Sequence, residues 1–319
     1  MKDQITYRIP GKPVVQRNGV FEKVSDEIVP AGFIISPFPG KDLFYLNENK
    51  MYSTDQSLFL AQPKVISKED YLLIAEAFLG ELRSGHLGKA VFSRVKAVSI
   101  ELEDLRDVFV KLCDTYPTSF IYLLKSSSFG TWIGATPESL LKCESSSCST
   151  VSLAGTIPDV SGSKWTQKER VEQQLVTDDI VSVLAESQCD DIVCSEVRDV
   201  VAGPVRHLRT DVSFQFEGQY GALASAIHPT PAVSGFPRTD ALRLISKFES
   251  HNRELYTGFL GEIGEDTCDL FVNLRCSRIV DDRAYLFVGG GFTPDSIPDM
   301  EWEETENKAK TLMQVLSSR

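Results

Sequence analysis

The sequence lacks any long, uninterrupted apolar run. Its first ten residues, MKDQITYRIP, contain no apolar core of a signal peptide. The apolar stretch over 28–38 is broken by prolines and is too short to span a bilayer. No membrane partner is therefore expected. The seven cysteines are an odd number at scattered spacings, with no CxxC pair. That pattern gives neither a zinc site nor a disulfide framework, so reduced thiols and a cytoplasmic protein are expected. The four histidines show no metal-ligand spacing, and no cysteine carries a local nucleophile signature. Positive charge is short: 33 Lys and Arg against 45 Asp and Glu leave a net charge of −12. Phosphate binding needs a basic surface, so nucleic acid is not expected as the main partner. A small anionic substrate stays open, provided a few basic residues or a metal define a local site.

What is present is an ordinary globular chain of 319 residues, 42% hydrophobic and 24% charged. No repeat and no linker divides it, so a single domain over 1–319 is expected. Residues 1–66 are rich in Pro, Gly and short apolar pieces and read as short strands and turns. Helical spacing of apolar positions appears over 68–83, 101–115, 167–186, 239–249 and 301–316. Strand-like segments lie over 89–100, 120–125, 131–133, 140–143, 150–153, 205–217 and 284–288, and residues 271–279 alternate cleanly. The serine cluster 145–149 reads as a hairpin loop. Strands come in runs with helices between the groups, which favours α+β over a regular βαβ alternation.

The C-terminal stretch carries the densest chemistry. A strand-like run empties into Gly289-Gly290-Gly291, and a helix follows with Glu301 and Glu304. Glycines after a strand let a bound group approach the backbone, and carboxylates three apart share one helix face. Glu169 and Glu172 repeat that spacing on another helix. If the two helices converge, the pairs form a carboxylate-and-water shell suited to Mg²⁺; otherwise they are two solvated faces. Lys89 opens an apolar strand, where desolvation can make a lysine a base; it can equally be an edge residue. Glu138, in a turn after Thr136-Pro137, is a candidate proton donor or a turn cap. Arg275 lies on the polar side of an alternating segment, where its fork suits a substrate carboxylate or a structural ion pair. His228 lies in a proline-stiffened loop, a setting more often structural than catalytic.

Taken in order, nine motifs resemble one family. They are Gly88-Lys89-Ala90-Val91-Phe92-Ser93-Arg94, Gly134-Ala135-Thr136-Pro137-Glu138, Leu153-Ala154-Gly155-Thr156, Lys168-Glu169-Arg170-Val171-Glu172, His228-Pro229-Thr230-Pro231-Ala232-Val233-Ser234-Gly235, Tyr256-Thr257-Gly258, Leu274-Arg275, Gly289-Gly290-Gly291 and Glu301-Trp302-Glu303-Glu304-Thr305. Together they resemble the chorismate-utilising enzymes: isochorismate synthase, salicylate synthase, anthranilate synthase component I and aminodeoxychorismate synthase component I. The resemblance runs from about residue 70 to the C-terminus, and residues 1–66 look like a shortened form of the family's N-terminal part. It implies two large packed antiparallel sheets flanked by helices, as in anthranilate synthase component I, with the site in a cleft between them.

The resemblance also implies roles. Lys89 matches the lysine that activates water against ring carbon 2, and Glu138 the acid that protonates the hydroxyl leaving carbon 4. Glu172 and Glu304 match direct Mg²⁺ ligands, with Glu169 and Glu301 behind bridging waters. Gly289, Gly291 and Lys308 match contacts to the ring carboxylate of chorismate, and Arg275 and Tyr256 contacts to its enolpyruvyl carboxylate. Ala154, Gly155, Thr156 and His228 fall among further substrate-contacting positions. Ala154 stands where aminodeoxychorismate synthases carry a lysine, and the His228-Pro229-Thr230 loop replaces a Gly-Thr-Ser loop of the ammonia-using relatives. Both favour water as nucleophile, and no glutaminase subunit is expected. The implied activity is a Mg²⁺-dependent isochorismate synthase serving menaquinone or a catechol siderophore. A salicylate synthase and a non-catalytic chorismate-binding or partner-binding relative are the alternatives. Two positions depart from the family: Gln173 replaces a common His or Asn, and Phe259-Leu260-Gly261-Glu262 lacks a common tryptophan.

Overall fold

The computed structural model describes residues 2–316 except 51–57, 59–60, 86, 101–104, 161 and 203–204, and leaves aside the side chains of Thr156, Pro158, Lys168, Ala202 and Val205. In chain order the strands are β1 (Asp3–Arg8), β2 (Val14–Val24), β3 (Gly32–Ser36), β4 (Leu43–Asn47), β5 (Lys89–Ser99), β6 (Phe120–Ser126), β7 (Gly130–Thr136), β8 (Ser139–Glu144) and β9 (Ser147–Pro158). They continue with β10 (Asp190–Cys194), β11 (Arg198–Ala202), β12 (Val205–Gln215), β13 (Gly235–Phe236), β14 (Phe259–Ile263), β15 (Thr267–Val272), β16 (Cys276–Val280) and β17 (Arg283–Phe292). The helices are α1 (Lys68–Ser84), α2 (Leu105–Thr115), α3 (Gln167–Glu186), α4 (Tyr220–Ile227), α5 (Arg238–Phe248) and α6 (Pro298–Leu316).

The chain is α+β, as expected, and its strands form two antiparallel sheets. One runs β2–β1–β6–β7–β16–β17–β5–β13. The other runs β2–β4–β3–β14–β15–β8–β9–β12, with β10 and β11 both against β12. Strand β2 belongs to both: Val14–Gly19 face β1, and Val20–Val24 face β4. The first residues thus complete both sheets.

Aromatic rings fill the space where the sheets face each other. Tyr7 of β1 lies 4.9 Å from Phe33 of β3, and Phe120 of β6 stacks on Phe271 of β15 at 4.5 Å. On β3, Phe33 and Ile35 join this inner core while Ile34 joins the cluster on the outer face, the two-residue period of a strand buried on both sides. Helices cover the outer faces. Residues of α2 and α6 pack on one sheet, with Leu112 and Leu312 against Ile121 and Leu286. Residues of α3 and α4 pack on the other, with Val176 and Ile227 among them. Helix α1 starts at Ser67, whose side chain accepts from Asp70 N, and buries Tyr71, Ala75, Phe78 and Leu82 on one stripe.

Three expectations change. The alternation over 271–279 is interrupted: β15 ends at Val272 and β16 begins at Cys276, with Arg275 at φ 45° between them. Its side chain is therefore aimed by a local backbone break, not by strand periodicity. The strand expected over 284–288 does not end before the three glycines, because β17 runs through them to Phe292. Finally, Cys143 and Cys148 form a disulfide instead of remaining thiols. The hairpin register sets them directly opposite on β8 and β9, which spacing in the sequence does not reveal. The helix expected over 101–115 is seen from Leu105 onward; residues 101–104 lie outside the described residues.

Phe120 is fully buried between the sheets. Phe120→Ala is expected to lower unfolding free energy by about 3–5 kcal/mol, measured by denaturant titration. A loss below about 1 kcal/mol would show that the inter-sheet core repacks around the cavity.

Candidate active site

A cleft opens between the two sheets. Lys89 and Val91 of β5 and Val288–Gly291 of β17 line one side; Leu153 and Ala154 of β9 and His207 of β12 line the other. Glu138 enters from the β7–β8 turn, Arg275 from the β15–β16 break, Glu172 from α3, and Glu304 and Lys308 from α6.

Antiparallel pairing places Gly289, Gly290 and Gly291 opposite Ser93, Phe92 and Val91. None of the three has a positive φ, so glycine is required here by space and not by backbone conformation. A Cβ at Gly291 would lie 2.9 Å from Lys89 Cε and 3.2 Å from Glu172 Oε1. One at Gly290 would lie 2.9 Å from Glu301 Oε2, and one at Gly289 would lie 3.0 Å from the Tyr256 hydroxyl. The glycines form a floor on which the side chains of Lys89, Glu172, Glu301 and Tyr256 converge.

Charge on this floor is paired. Lys89 Nζ lies 2.7 Å from Glu172 Oε1, with the two side chains only 3% and 11% exposed. Lys308 Nζ lies 2.7 Å from Glu304 Oε1, one turn away on α6, and donates to Gly289 O at 2.9 Å. Helix α6 is held in register by Arg94 of β5. The Arg94 guanidinium lies 3.7 Å over the Trp302 ring, donates to Thr305 Oγ1 at 2.8 Å and pairs with Glu306. Lys96 reaches Glu306 as well, at 2.5 Å.

Glu138 is buried, and loss of hydration raises its pKa to about 7; Lys89, Lys308 and Arg275 oppose the rise. A carboxyl in that range can hold a proton near neutral pH. Burial pulls the Arg275 guanidinium downward, against the attraction of Tyr116 and Glu138. His207 is a site residue that the sequence did not mark. Burial, then Lys308, lowers its pKa to about 4, so the ring is neutral, and its Nδ1 lies 3.2 Å from Gly155 O. A carbonyl can only accept, so Nδ1 carries the proton. The available signal was the pairing of His207 with Thr156 across β12 and β9, a tertiary feature. Thr257, which also lines the cleft, was quoted within a motif but given no role.

Several candidates lie behind the cleft. Glu169 accepts from the backbone N–H of Thr166 at 2.8 Å and from its hydroxyl, the return half of a Thr-x-x-Glu capping box at the start of α3. Gly155 (φ +65°) packs against Glu169. Glu301, near Gly290, accepts from Ser296 Oγ at 2.6 Å. The side chain of Thr156 lies outside the described residues. His228 does not reach the cleft: it is buried edge-on against Phe259 at 5.1 Å, and burial pushes its pKa down to about 3. Gln173, the residue after Glu172, is buried. It accepts from Ala154 N at 2.8 Å and donates to Ser152 and Thr210, so it ties α3 to the cleft wall at Ala154.

A protein-family model described as "Chorismate binding enzyme" matches residues 41–317. The chain belongs to the chorismate-binding enzymes. Isochorismate synthase EntC of Escherichia coli K12 is 31% identical over 241 residues, which cover 71% of this chain and 62% of EntC. The chain thus spans less than two thirds of that relative's length. Among solved structures, DhbC of Bacillus anthracis superposes with a TM-score of 0.83 at 22% identity, covering 99% of this chain and 96% of that one. The menaquinone-specific isochorismate synthase MenF of E. coli gives 0.79 at 18% identity, covering 98% and 88%. At these identities the superpositions establish the fold, and they agree with the two packed sheets described above. Among the described residues of this family member, no helix is long and apolar enough to cross a membrane.

Gly291→Ala should leave folding nearly intact, because the added methyl meets the flexible end of Lys89 and not backbone. The Lys89–Glu172 pair must move, and if the pair acts in catalysis a displacement of that size should cost roughly 10²-fold in turnover. Wild-type turnover in a folded Gly291→Ala protein would show that the floor tolerates a side chain.

Glu138 also makes stability depend on pH. Its folded pKa lies above the unfolded value of 4.5, so its contribution is complete below about 4.5 and is lost as pH rises through about 7. The unfolding temperature of the wild type should therefore fall relative to that of Glu138→Gln between pH 5 and 8. A difference that stays flat over this range would place the carboxyl at an ordinary pKa.

Proposed function

We propose that this protein is an isochorismate synthase that converts chorismate to isochorismate with Mg²⁺. The observation that carries the reading is the meeting in one cleft of a buried lysine and a buried carboxyl held near neutral pKa. Around them stand two further carboxylates and the cations Arg275 and Lys308. Binding alone would not need an acid and a base together.

Lys89 would take a proton from water as its oxygen attacks ring carbon 2. Glu138 would give a proton to the hydroxyl leaving carbon 4, which departs as water. One water enters and one leaves, so the net change is an isomerisation. Arg275 and Tyr256 would hold the enolpyruvyl carboxylate, and Lys308 with the amides of Gly289 and Gly291 the ring carboxylate. The neutral ring of His207, fixed by Gly155 O, would face the substrate as a hydrogen-bonding group. Ala154 leaves space for water where a lysine would fill it, so ammonia and a second subunit to supply it are not required. Residues 1–319 would work as one domain, since β1 and β3 complete the sheets that hold the site.

The donor set fits a hard divalent ion. Glu172 and Glu304 offer oxygen ligands in one cleft. Among the described residues no group of three or more His, Cys, Asp or Glu could hold a metal alone. Mg²⁺ usually takes one or two protein carboxylates and completes its shell with water and substrate oxygens. Glu172 and Glu304 would hold it, and the chemistry it supplies when bound is positive charge for the ring carboxylate.

Incubation with chorismate and Mg²⁺, followed by chromatography, tests the reading. A mixture of chorismate and isochorismate is expected, with no amino product when ammonium is added and no turnover in excess chelator. Lys89→Ala and Glu138→Gln should each cut turnover by roughly 10²–10⁴-fold. An amino product would discard water as nucleophile, and stoichiometric pyruvate would make the protein a salicylate synthase.

A further inference from the structure

We propose that Arg253, which does not line the cleft, is the positioning residue that sets the cleft wall. Its guanidinium and the Glu249 carboxylate are 1% and 2% exposed. Both belong to the segment after α5, a region given no role above. The charge is met bidentately: Nε donates to Glu249 Oε2 at 2.8 Å and Nη2 to Oε1 at 2.6 Å. The remaining donors leave the ion pair. Nη1 reaches Val233 O at 2.8 Å and Thr257 Oγ1 at 3.3 Å, and Nη2 reaches Val91 O at 2.9 Å. An arginine has five N–H donors, and all five are accounted for here.

The three acceptors beyond Glu249 belong to residues that line the cleft: Val91, Val233 and Thr257. They come from three separate segments: β5, the turn before β13, and the loop after Arg253. Val91 N already donates to Ser234 O at 2.8 Å beside the β5–β13 pairing, and Arg253 adds the Thr257 loop to that junction. Glu249 adds a fourth attachment, since its Oε1 accepts from both the backbone N–H and the hydroxyl of Ser93 at 2.8 and 2.7 Å. Ser93 pairs with Gly289 across β5 and β17. The Arg253–Glu249 pair therefore ties the strand of Lys89, the glycine floor, the Val233 turn and the Tyr256-Thr257 wall to one planar group. A guanidinium suits this task because its donors are fixed in one plane, whereas an ammonium offers three donors from a single point.

The inference rests on the chorismate reading only for its kinetic readout, and the experiment separates the two. Arg253→Lys keeps the charge beside Glu249 but cannot reach all five acceptors. Its kcat/KM for chorismate should fall by about ten- to a hundredfold, with the pH profile unchanged because Arg253 exchanges no proton in the reaction. Leu112→Ala, a core truncation on α2 at a residue that does not line the cleft, should lose stability yet keep kcat and KM, so that stability loss alone does not explain the effect. Hydrogen exchange needs no substrate: it should quicken in 89–95, 230–235 and 253–258 of Arg253→Lys and stay unchanged elsewhere. Folded Arg253→Lys with wild-type kcat and KM would overturn the proposal. If Arg253→Lys does not fold, Glu249→Gln takes its place; it keeps the shape and weakens the clamp, and wild-type kinetics there would also overturn it. If the wild type does not turn over chorismate, the functional reading falls by itself. The exchange pattern then decides this proposal, and uniform quickening over the whole chain would reject it.

Discussion

The pairing of β17 with β5 is the interaction on which the rest of the site depends. Ten residues of β17 run antiparallel to β5, from Arg283 opposite Ser99 to Phe292 opposite Ala90. That register lays three glycines beside the strand that begins with Lys89. It also launches α6 close behind β17, so that Glu304 and Lys308 return over the same glycines. A shift of one residue would turn Lys89 and the floor to the opposite face. Arg94 locks α6 onto β5 from one side, and the Arg253–Glu249 pair grips β5 from another.

Electrostatics explains how an acidic protein can gather cations in one cleft. The net charge of −12 is unfavourable to an anionic ligand at long range. Within the cleft, Lys89, Lys308 and Arg275 gather on one side of the balance, and Glu172 and Glu304 neutralise two of them. Buried pairs of this kind are costly to break by removing one partner, because the other charge is left without compensation. Glu138 stands apart: burial dominates its environment and holds its pKa at about 7 despite the nearby Lys89, Lys308, Arg275 and Arg209.

The differences between expectation and structure share one cause. Glu169 and Glu172 have identical helical spacing to Glu301 and Glu304, yet only the second member of each pair lines the cleft. Glu169 satisfies an exposed helix N-terminus instead, a role visible in Thr166-Gln167-Lys168-Glu169 once the helix start is known. His228 sits within a motif but is turned into the core against Phe259, whereas His207 lies outside every quoted motif and reaches the cleft by cross-strand pairing. Cys143 and Cys148 meet for the same reason. Local spacing determines which residues share a face of one element; it does not determine which element that face meets.

By itself the sequence determined the elements and the chemical vocabulary. Apolar periodicity gave α3 over 167–186, α1 and α5 to within a residue or two, and most of the strands. The order of motifs identified the family and marked Lys89, Glu138, Glu172 and Glu304, which the fold brings into one cleft. Tertiary structure alone decided that β2 would serve two sheets, that the glycines would be a floor within a strand, and that Arg275 would be aimed by a break at φ 45°. It alone decided that Arg253 would direct three of its five donors to residues that line the cleft. The physical reason is that hydrogen bonds and ion pairs between residues distant in sequence depend on register and on the packing of sheets. Those are set by the whole core at once, and no short window of sequence contains them.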